Sequence, residues 1–323
     1  MRDQALWYVA PGQAELRDEA ISAPEEDELV CLSALHGAIS RGTERLILAG
    51  RVPPDEFERM RAPFMAGTFP FPVKYGYATV GRIEHGPRKD EVAFVLHPHQ
   101  SRFVVPAAAA HRVPPNVPPS RAVLAANMET ALNAVWDGAP APADRIAVVG
   151  GGIVGLLVAR LCARLPGAEV IVVDVASARA SLVQRLGALF ALPDAAPVDC
   201  DVVFHASASA AGLATALGCA GDEATIVELS WYGSGEVPVP LGGAFHSRRL
   251  RLISSQVGKV APSHRSRWSY GRRLAAALAL LDDPVLDGLL APAVPFGELP
   301  ARLPTILAAD GDARCPLIRY SDG

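Results

Sequence analysis

The sequence predicts an α/β protein in which a β-rich first part precedes a doubly wound parallel sheet. Strand-like and helix-like segments alternate after residue 120, and such alternation covers both faces of a parallel sheet with helices. The first 118 residues instead combine short apolar segments with frequent proline and glycine. A glycine-rich turn follows the first strand of the alternating part, as is typical of nucleotide-binding sheets.

Composition and charge restrict the kind of protein that this chain forms. The chain has 323 residues, of which 50% are hydrophobic, and this is enough for two buried cores. The formal net charge is −4 and lysine and arginine form no block, so we expect no nucleic-acid surface. The longest apolar run, 146–159, contains glycines and is too short to cross a bilayer, so we expect no membrane contact. Five scattered cysteines without a C-x-x-C pair argue against disulfides and against a cysteine-rich zinc site, so we expect a protein of the reducing cytoplasm.

Spacing and composition predict the individual strands and helices. In the first part, strands are predicted at 29–38, 77–84, 91–96 and 102–105, with a long surface loop at 52–73. In the alternating part, strands are predicted at 145–149, 169–174, 200–206, 224–229 and 249–254. Helices are predicted at 120–137, 154–165, 176–186, 209–219 and 272–281, and 294–320 mixes short strand and helix signals.

The segment 146–155, Ile-Ala-Val-Val-Gly-Gly-Gly-Ile-Val-Gly, carries the strongest chemical signal and matches G-x-G-x-x-G between a strand and a helix. Gly150 permits the tight turn, Gly152 lets the backbone approach a pyrophosphate, and Gly155 lets the helix pack closely on the sheet. The free N–H groups at the helix N-terminus then favour phosphate. The pattern therefore predicts a Rossmann dinucleotide site, although a tight turn without a ligand also fits it.

Two charged residues decide which nicotinamide cofactor this site prefers. Asp174 ends the next predicted strand, where an acid hydrogen-bonds the ribose hydroxyls and repels a 2′-phosphate, so NAD is favoured. Arg179 lies shortly after it and is able to accommodate a 2′-phosphate, which keeps NADP as the less favoured alternative. The alternative for Asp174 is a surface aspartate without a ligand.

Three segments carry a resemblance to a known family. They are Ile-Ser-Arg-Gly-Thr-Glu at 39–44, Tyr-Gly-Tyr-Ala-Thr-Val-Gly at 75–81 and Lys-Asp-Glu-Val-Ala at 89–93. Together with the order of the two parts, they resemble the medium-chain dehydrogenase/reductase superfamily, most closely the bacteriochlorophyllide hydroxyethyl dehydrogenase group. The resemblance implies a GroES-like catalytic domain at 1–120, a Rossmann domain at 121–258 and a C-terminal return to the catalytic domain at 259–323.

The zinc ligands of the zinc-dependent members are replaced in this chain. The resemblance puts Ser40 at a cysteine ligand, Tyr77 at a histidine ligand and Ala78 at the neighbouring glutamate. The third-ligand region at 126–130 has no cysteine, and 96–100 replaces the structural-zinc lobe. Because zinc needs three or four converging N, S or O ligands, we expect no zinc and no other metal.

Without a metal, hydrogen-bond donors must stabilise the charge that develops on the substrate oxygen. The candidates on segments that the superfamily arranges around the nicotinamide are Ser40, Thr43, Tyr77, His97 and Glu129. His97, with His99, is expected to titrate near neutrality. Each candidate also has an ordinary structural alternative: a turn hydroxyl, a core aromatic, a pocket-lining or residual metal-binding histidine, or a first-turn helix acid. The resemblance further suggests that Arg41 contacts the cofactor pyrophosphate, with a surface arginine as its alternative.

The resulting hypothesis is a zinc-independent, NAD(H)-dependent oxidoreductase that acts on the alcohol/carbonyl pair of a small molecule. A first alternative is an NAD(P)H-dependent reductase of C=C bonds, of the quinone or enoyl type. A second is a catalytically silent nucleotide-binding sensor or scaffold, because a fold alone does not determine function. The resemblance also implies a homodimer joined through the strand predicted at 249–254.

Overall fold

The computed structural model describes residues 3–22, 28–308 and 314–320. The chain divides into two compact units, the first formed by Met1–Ala126 and Leu274–Gly323 and the second by Asn127–Arg273. Both divisions lie inside helices. The boundaries predicted at 120/121 and 258/259 lie earlier in the chain.

The helices and strands have the following bounds within the described ranges. The strands are β1 Gln4–Ala10, β2 Gln13–Asp18, β3 Leu29–Ala38, β4 Ala66–Gly67, β5 Val73–Lys74, β6 Thr79–His85, β7 Val92–Val95, β8 Arg102–Pro106, β9 His111–Arg112, β10 Arg145–Val149, β11 Glu169–Val173, β12 Leu189–Ala191, β13 Cys200–His205, β14 Ala220–Glu228, β15 Arg251–Ser254, β16 Val294–Pro295 and β17 Leu317–Arg319. The helices are α1 Arg41–Leu48, α2 Pro119–Ala122, α3 Ala125–Gly138, α4 Ile153–Cys162, α5 Ala180–Arg185, α6 Ala210–Cys219, α7 Ala244–Ser247, α8 Tyr270–Leu280 and α9 Leu299–Ile306.

The second unit contains a parallel sheet whose strand order is β12-β11-β10-β13-β14-β15. Its central strand, β10, is apolar after Arg145, and Ile146, Ala147 and Val148 are completely buried. A strand that is covered on both faces requires such a continuous apolar run, whereas a half-exposed strand alternates. The predicted doubly wound α/β fold is therefore confirmed.

The strand order reverses between β10 and β13, where the chain moves from one half of the sheet to the other. Ligands of open α/β sheets bind in the crevice at the carboxyl ends of the strands at such a point. The glycine-rich turn follows β10, and the chain 206–209 follows β13, so both segments border this position.

The first unit contains two sheets, and β3 is a central strand of one of them. β3 pairs antiparallel with β6, β8 and β17, while β1 pairs with β2 and β5 in the other sheet. The prediction at 29–38 matches β3 residue for residue. The sequence analysis did not predict β1, β2 or α1, because each is short and only partly apolar. The helix predicted at 120–137 is divided into α2 and α3.

No helix among the described residues is both long enough and apolar enough to cross a membrane.

A substitution at Gly155 can test how closely α4 packs on the turn that precedes it. A Cβ at Gly155 would lie 2.0 Å from the carbonyl oxygen of Gly150, which is backbone and cannot move aside cheaply. We expect Gly155→Ala to lower the free energy of unfolding by about 2 kcal/mol, in the range for overpacking. Urea denaturation followed by circular dichroism measures this change.

Gly218 supplies the matched control for that substitution. It lies in α6, and among the described residues nothing is within 4 Å of its Cβ position. Gly218→Ala should therefore stabilise the protein, by about 0.5 kcal/mol, because alanine favours a helix. Equal effects of the two substitutions would contradict the close packing of α4.

Candidate active site

The glycine-rich turn has the conformation that its sequence predicts. Gly150 has φ +111°, and a Cβ there would lie 2.6 Å from the backbone nitrogen of Ser207. Gly152 is the N-cap of α4, and nothing in the described part of the chain lies within 4 Å of its Cβ position. Close packing therefore requires glycine at Gly150 and Gly155, whereas Gly152 faces open space.

Asp174 and Arg179 lie together beside this turn. The Asp174 carboxylate accepts a hydrogen bond of 2.7 Å from the backbone N–H of Gly151 and one of 2.9 Å from that of Ala176. The Arg179 guanidinium also donates to it. Asp174 is only 7% exposed, so it is not the surface aspartate of the alternative interpretation.

These residues fit a dinucleotide. The open space at Gly152 leaves room for a diphosphate at the N-terminus of α4, where the N–H groups of the first turn favour negative charge. Asp174 is held against the same turn by Gly151, in the position of an acid that receives ribose hydroxyls.

Three of the predicted catalytic residues converge in the first unit. Ser40 is the N-cap of α1, Thr43 lies in its first turn, and Tyr77 precedes β6. The Tyr77 hydroxyl lies 3.2 Å from Oγ1 of Thr43 and also hydrogen-bonds with Ser40. Burial raises the pKa of Tyr77 to about 12, although these two hydroxyls act to lower it. Tyr77 is therefore a neutral phenol at physiological pH and able to donate a hydrogen bond.

This cluster does not fit the zinc that the resemblance would otherwise imply. Zinc prefers thiolate, imidazole and carboxylate ligands, whereas Ser40, Thr43 and Tyr77 offer two alcohols and a phenol whose pKa is raised. No group of three or more His, Cys, Asp or Glu side chains among the described residues is arranged to hold a metal ion.

His97 differs from the prediction that it titrates near neutrality. It is 4% exposed, and its ring stacks against Phe103 at 3.9 Å between centroids and against Phe64 at 5.5 Å. Burial lowers the pKa of His97 to about 3, so the ring is neutral. Nδ1 lies 2.9 Å from the carbonyl oxygen of Pro98, which fixes the proton on Nδ1. His97 is therefore an aromatic packing residue and not a proton carrier at neutral pH.

Glu129 occupies a structural ion pair in the second unit. Its Oε1 lies 3.0 Å from Nε of Arg273, and both side chains are buried. Burial raises the pKa of Glu129, while Arg273 acts in the opposite direction. Arg273 also donates to Oδ1 of Asn133 at 2.6 Å. These contacts give Glu129 a structural role in the packing of α3 and do not support its predicted catalytic role.

Arg41, the predicted pyrophosphate contact, donates instead to the carbonyl oxygen of Ala308 within the first unit. This contact ties the start of α1 to the end of α9.

Two buried polar networks were not predicted. In the first unit, the Glu44 carboxylate accepts from the Tyr8 hydroxyl and lies 2.9 Å from Nε2 of His99. In the second unit, Nδ1 of His205 lies 2.7 Å from the carboxylate of Glu228. The second pair had a signal in the sequence, because His205 and Glu228 lie next to the ends of the strands predicted at 200–206 and 224–229. In the structure they end β13 and β14, which are neighbours in register.

Comparison with known proteins identifies the fold. No protein-family model matches the sequence, and no curated protein matches it. A protein from Sinorhizobium meliloti 1021 assigned as a zinc-binding dehydrogenase and bound to NADP superposes with a TM-score of 0.79 at 17% identity, covering 99% of this chain and 100% of that one. L-Idonate 5-dehydrogenase from Escherichia coli K-12 gives 0.79 at 14% identity, covering 99% of each chain. A short chain alcohol dehydrogenase from E. coli CFT073, complexed with NADH, gives 0.77 at 16% identity, covering 99% of this chain and 100% of that one.

At these identities the likeness establishes the fold, which is the Rossmann and GroES-like combination of the medium-chain dehydrogenases. The resemblance stated from the sequence is thus confirmed at the level of the fold.

The pKa of His97 leads to a prediction about stability and pH. Its folded pKa of about 3 lies below the unfolded value of roughly 6.5, so the unfolded chain binds the extra proton first. The contribution is therefore fully present above pH of about 6.5 and is lost as the pH falls, by about 2 kcal/mol at a pH of about 5. Urea denaturation of wild type and of His97→Phe, each at neutral pH and at a pH of about 5, isolates the contribution of His97, because the variant lacks the group that takes up the proton. If both proteins lose the same free energy between the two pH values, the neutral buried ring is excluded.

Proposed function

We propose that this chain is an NAD(H)-dependent oxidoreductase that interconverts an alcohol and a carbonyl of a small molecule without zinc. The observation that carries this proposal is the glycine-rich turn at 150–155 with the buried Asp174 hydrogen-bonded to it. A turn of this kind at the carboxyl edge of a parallel sheet is a dinucleotide site. The fold shared with dehydrogenases bound to NADP and to NADH supports the same assignment.

The pairing of Asp174 with Arg179 supports a preference for NAD(H). The carboxylate holds the guanidinium beside the turn, so Arg179 is not available to a 2′-phosphate while Asp174 is present. Asp174 itself repels a 2′-phosphate and accepts hydrogen bonds from ribose hydroxyls. The second candidate, reduction of a conjugated C=C bond by NADPH, requires Arg179 to leave Asp174 for the 2′-phosphate.

Tyr77 supplies the chemistry that zinc supplies in other members of this fold. The nicotinamide, when bound, donates or accepts the hydride. The neutral phenol of Tyr77 donates a hydrogen bond to the substrate oxygen, where negative charge develops during reduction. Because an alkoxide is more basic than this phenolate, the proton at Oη moves to the substrate oxygen, and the hydroxyls of Ser40 and Thr43 stabilise the phenolate that remains.

Two further parts of the proposal concern assembly and metal. We propose that two copies join through β15, which ends the strand order of the described sheet and so offers an unpaired edge. The oxygen-only donor set of Ser40, Thr43 and Tyr77 supports a reaction that does not depend on zinc.

Cofactor preference is testable through Asp174. Wild type should bind NADH more tightly than NADPH, as measured by titration calorimetry. Asp174→Ala removes the repulsion and releases Arg179, so the preference should reverse, with a change of at least about tenfold in the ratio of the two dissociation constants. The double variant Asp174→Ala/Arg179→Ala is the control, because it lacks the guanidinium and should lose the gain for NADPH. A wild-type protein that binds neither nucleotide would refute the proposed function.

Tyr77 is testable through the rate of carbonyl reduction. With NADH and a panel of small aldehydes and ketones, Tyr77→Phe should lower kcat about 100-fold, as expected when a proton donor is lost, with unchanged affinity for NADH. Since the pKa of Tyr77 is about 12, the wild-type rate should show no loss from this group between neutral pH and a pH of about 10. Tyr75→Phe removes a neighbouring buried hydroxyl and serves as the matched control. Equal rates for wild type and Tyr77→Phe would rule out the assigned role.

A further inference from the structure

A hydrogen-bonded chain of side chains crosses the carboxyl ends of β13 and β14. Glu228 Oε2 lies 2.7 Å from Nδ1 of His205, and Nε2 of the same ring lies 2.7 Å from Oγ of Ser207. Oγ of Ser207 lies 2.9 Å from Oγ of Ser209. His205 is fully buried, whereas Glu228 and Ser207 are half-buried, so a buried ring connects a carboxylate to a hydroxyl that solvent reaches.

The contacts determine the direction of the protons along this chain. Burial acts to raise the pKa of Glu228, but hydrogen bonds from His205 and Ser230 outweigh it and hold the pKa below its ordinary value. The carboxylate of Glu228 accepts from Nδ1–H of His205, and in this tautomer Nε2 accepts from the hydroxyl of Ser207.

The hydroxyl of Ser207 therefore donates its hydrogen bond to Nε2 of His205. Ser209, which itself accepts from the N–H of Gly212 at 3.0 Å, then donates to Ser207. Among the contacts of the described residues, this leaves one lone pair of Ser207 for a further donor. Ser207 therefore presents an acceptor, and a ligand group that meets it must carry an O–H or N–H.

Ser207 lies at the position where the proposed dinucleotide site continues beyond its diphosphate. Its backbone nitrogen is 2.6 Å from the Cβ position of Gly150, in the glycine-rich turn. β11, which Asp174 follows, and β13, which leads to Ser207, flank β10 on opposite sides. If Asp174 receives the adenine-side sugar, the other half of the dinucleotide extends toward Ser207.

The same three groups in the order acid, imidazole and hydroxyl also occur in hydrolases, where the serine is a nucleophile. That reaction requires Nε2 to reach the leaving group. Here the imidazole is fully buried, and the Cβ position of Gly212 lies 2.9 Å from Nε2 and 2.0 Å from Oγ of Ser207. Gly212 thus covers the ring nitrogen, so the geometry favours a binding role for Ser207.

We infer that Ser207 accepts a hydrogen bond from a hydroxyl of the second ribose of the dinucleotide, the one that carries the nicotinamide. His205 and Glu228 are positioning residues that keep Ser207 an acceptor. The inference rests on the proposed function, because it assigns a further residue to the same cofactor.

Three nucleotides of increasing length test this assignment by titration calorimetry. ADP carries the adenine sugar and the diphosphate, ADP-ribose adds the second sugar, and NADH adds the nicotinamide. Ser207→Ala should lower the affinity for ADP-ribose and for NADH about fivefold to tenfold, as expected for the loss of one hydrogen bond between uncharged groups. The affinity for ADP should change less than about twofold. Thr215→Ala is the matched control, since it removes a hydroxyl of α6 that donates to the carbonyl oxygen of Ala211 in the same helix, and it should spare all three ligands.

Two further variants examine the positioning role. His205→Phe releases the hydroxyl of Ser207, and Gly212→Ala displaces Oγ without removing any polar group. Both should reproduce the loss for ADP-ribose while ADP binding is retained, a pattern that general destabilisation would not produce.

Failure of the inference is distinguishable from failure of the proposed function. If wild type binds NADH but Ser207→Ala leaves ADP-ribose unchanged, or weakens ADP equally, the inference is wrong and the cofactor assignment stands. Covalent labelling of Ser207 by a fluorophosphonate would also overturn it, because a nucleophile would then occupy this position. If wild type binds none of the three nucleotides, the proposed function itself fails.

Discussion

The close approach of three backbone segments around the glycine-rich turn is the constraint on which the second unit depends. Gly150 contacts the chain that follows β13, and Gly155 brings α4 against the carbonyl of Gly150. Side chains at these two positions would separate α4 and the 206–207 segment from the turn. Because the same approach exposes the N-terminus of α4, the packing of the sheet and the proposed nucleotide site have one physical origin.

Buried acids in this protein are compensated by specific partners. Asp174 is paired with Arg179 and Glu129 with Arg273, while the half-buried Glu228 is hydrogen-bonded to His205. A buried carboxylate without such a partner is strongly destabilising, so these pairs restrict how the surrounding loops and helices pack. The pairs differ in their position. Glu129 packs along α3, while Asp174 and the Glu228 network lie at the carboxyl edge of the sheet.

The hydroxyl groups of Ser40, Thr43 and Tyr77 converge in the first unit. Ser40 and Thr43 are brought to Tyr77 because α1 begins at Arg41, directly after the end of β3. The phenol of Tyr77 stays protonated and able to donate over the whole physiological range, whereas the ring of His97, buried between aromatic rings, stays neutral and does not take up a second proton. Residue type and burial together separate the two roles.

The sequence by itself determined the order of the two parts, the strands β10, β11, β13, β14 and β15, and the turn at 150–155, because apolar periodicity and glycine spacing are local signals. It also brought Ser40, Thr43 and Tyr77 forward as candidates through a resemblance in short segments. Only the tertiary structure decided that Glu129 belongs to Arg273, that Arg41 reaches Ala308, and that His97 is neutral. Ion pairs and burial depend on residues far apart in the chain, and a single sequence contains no distance between them.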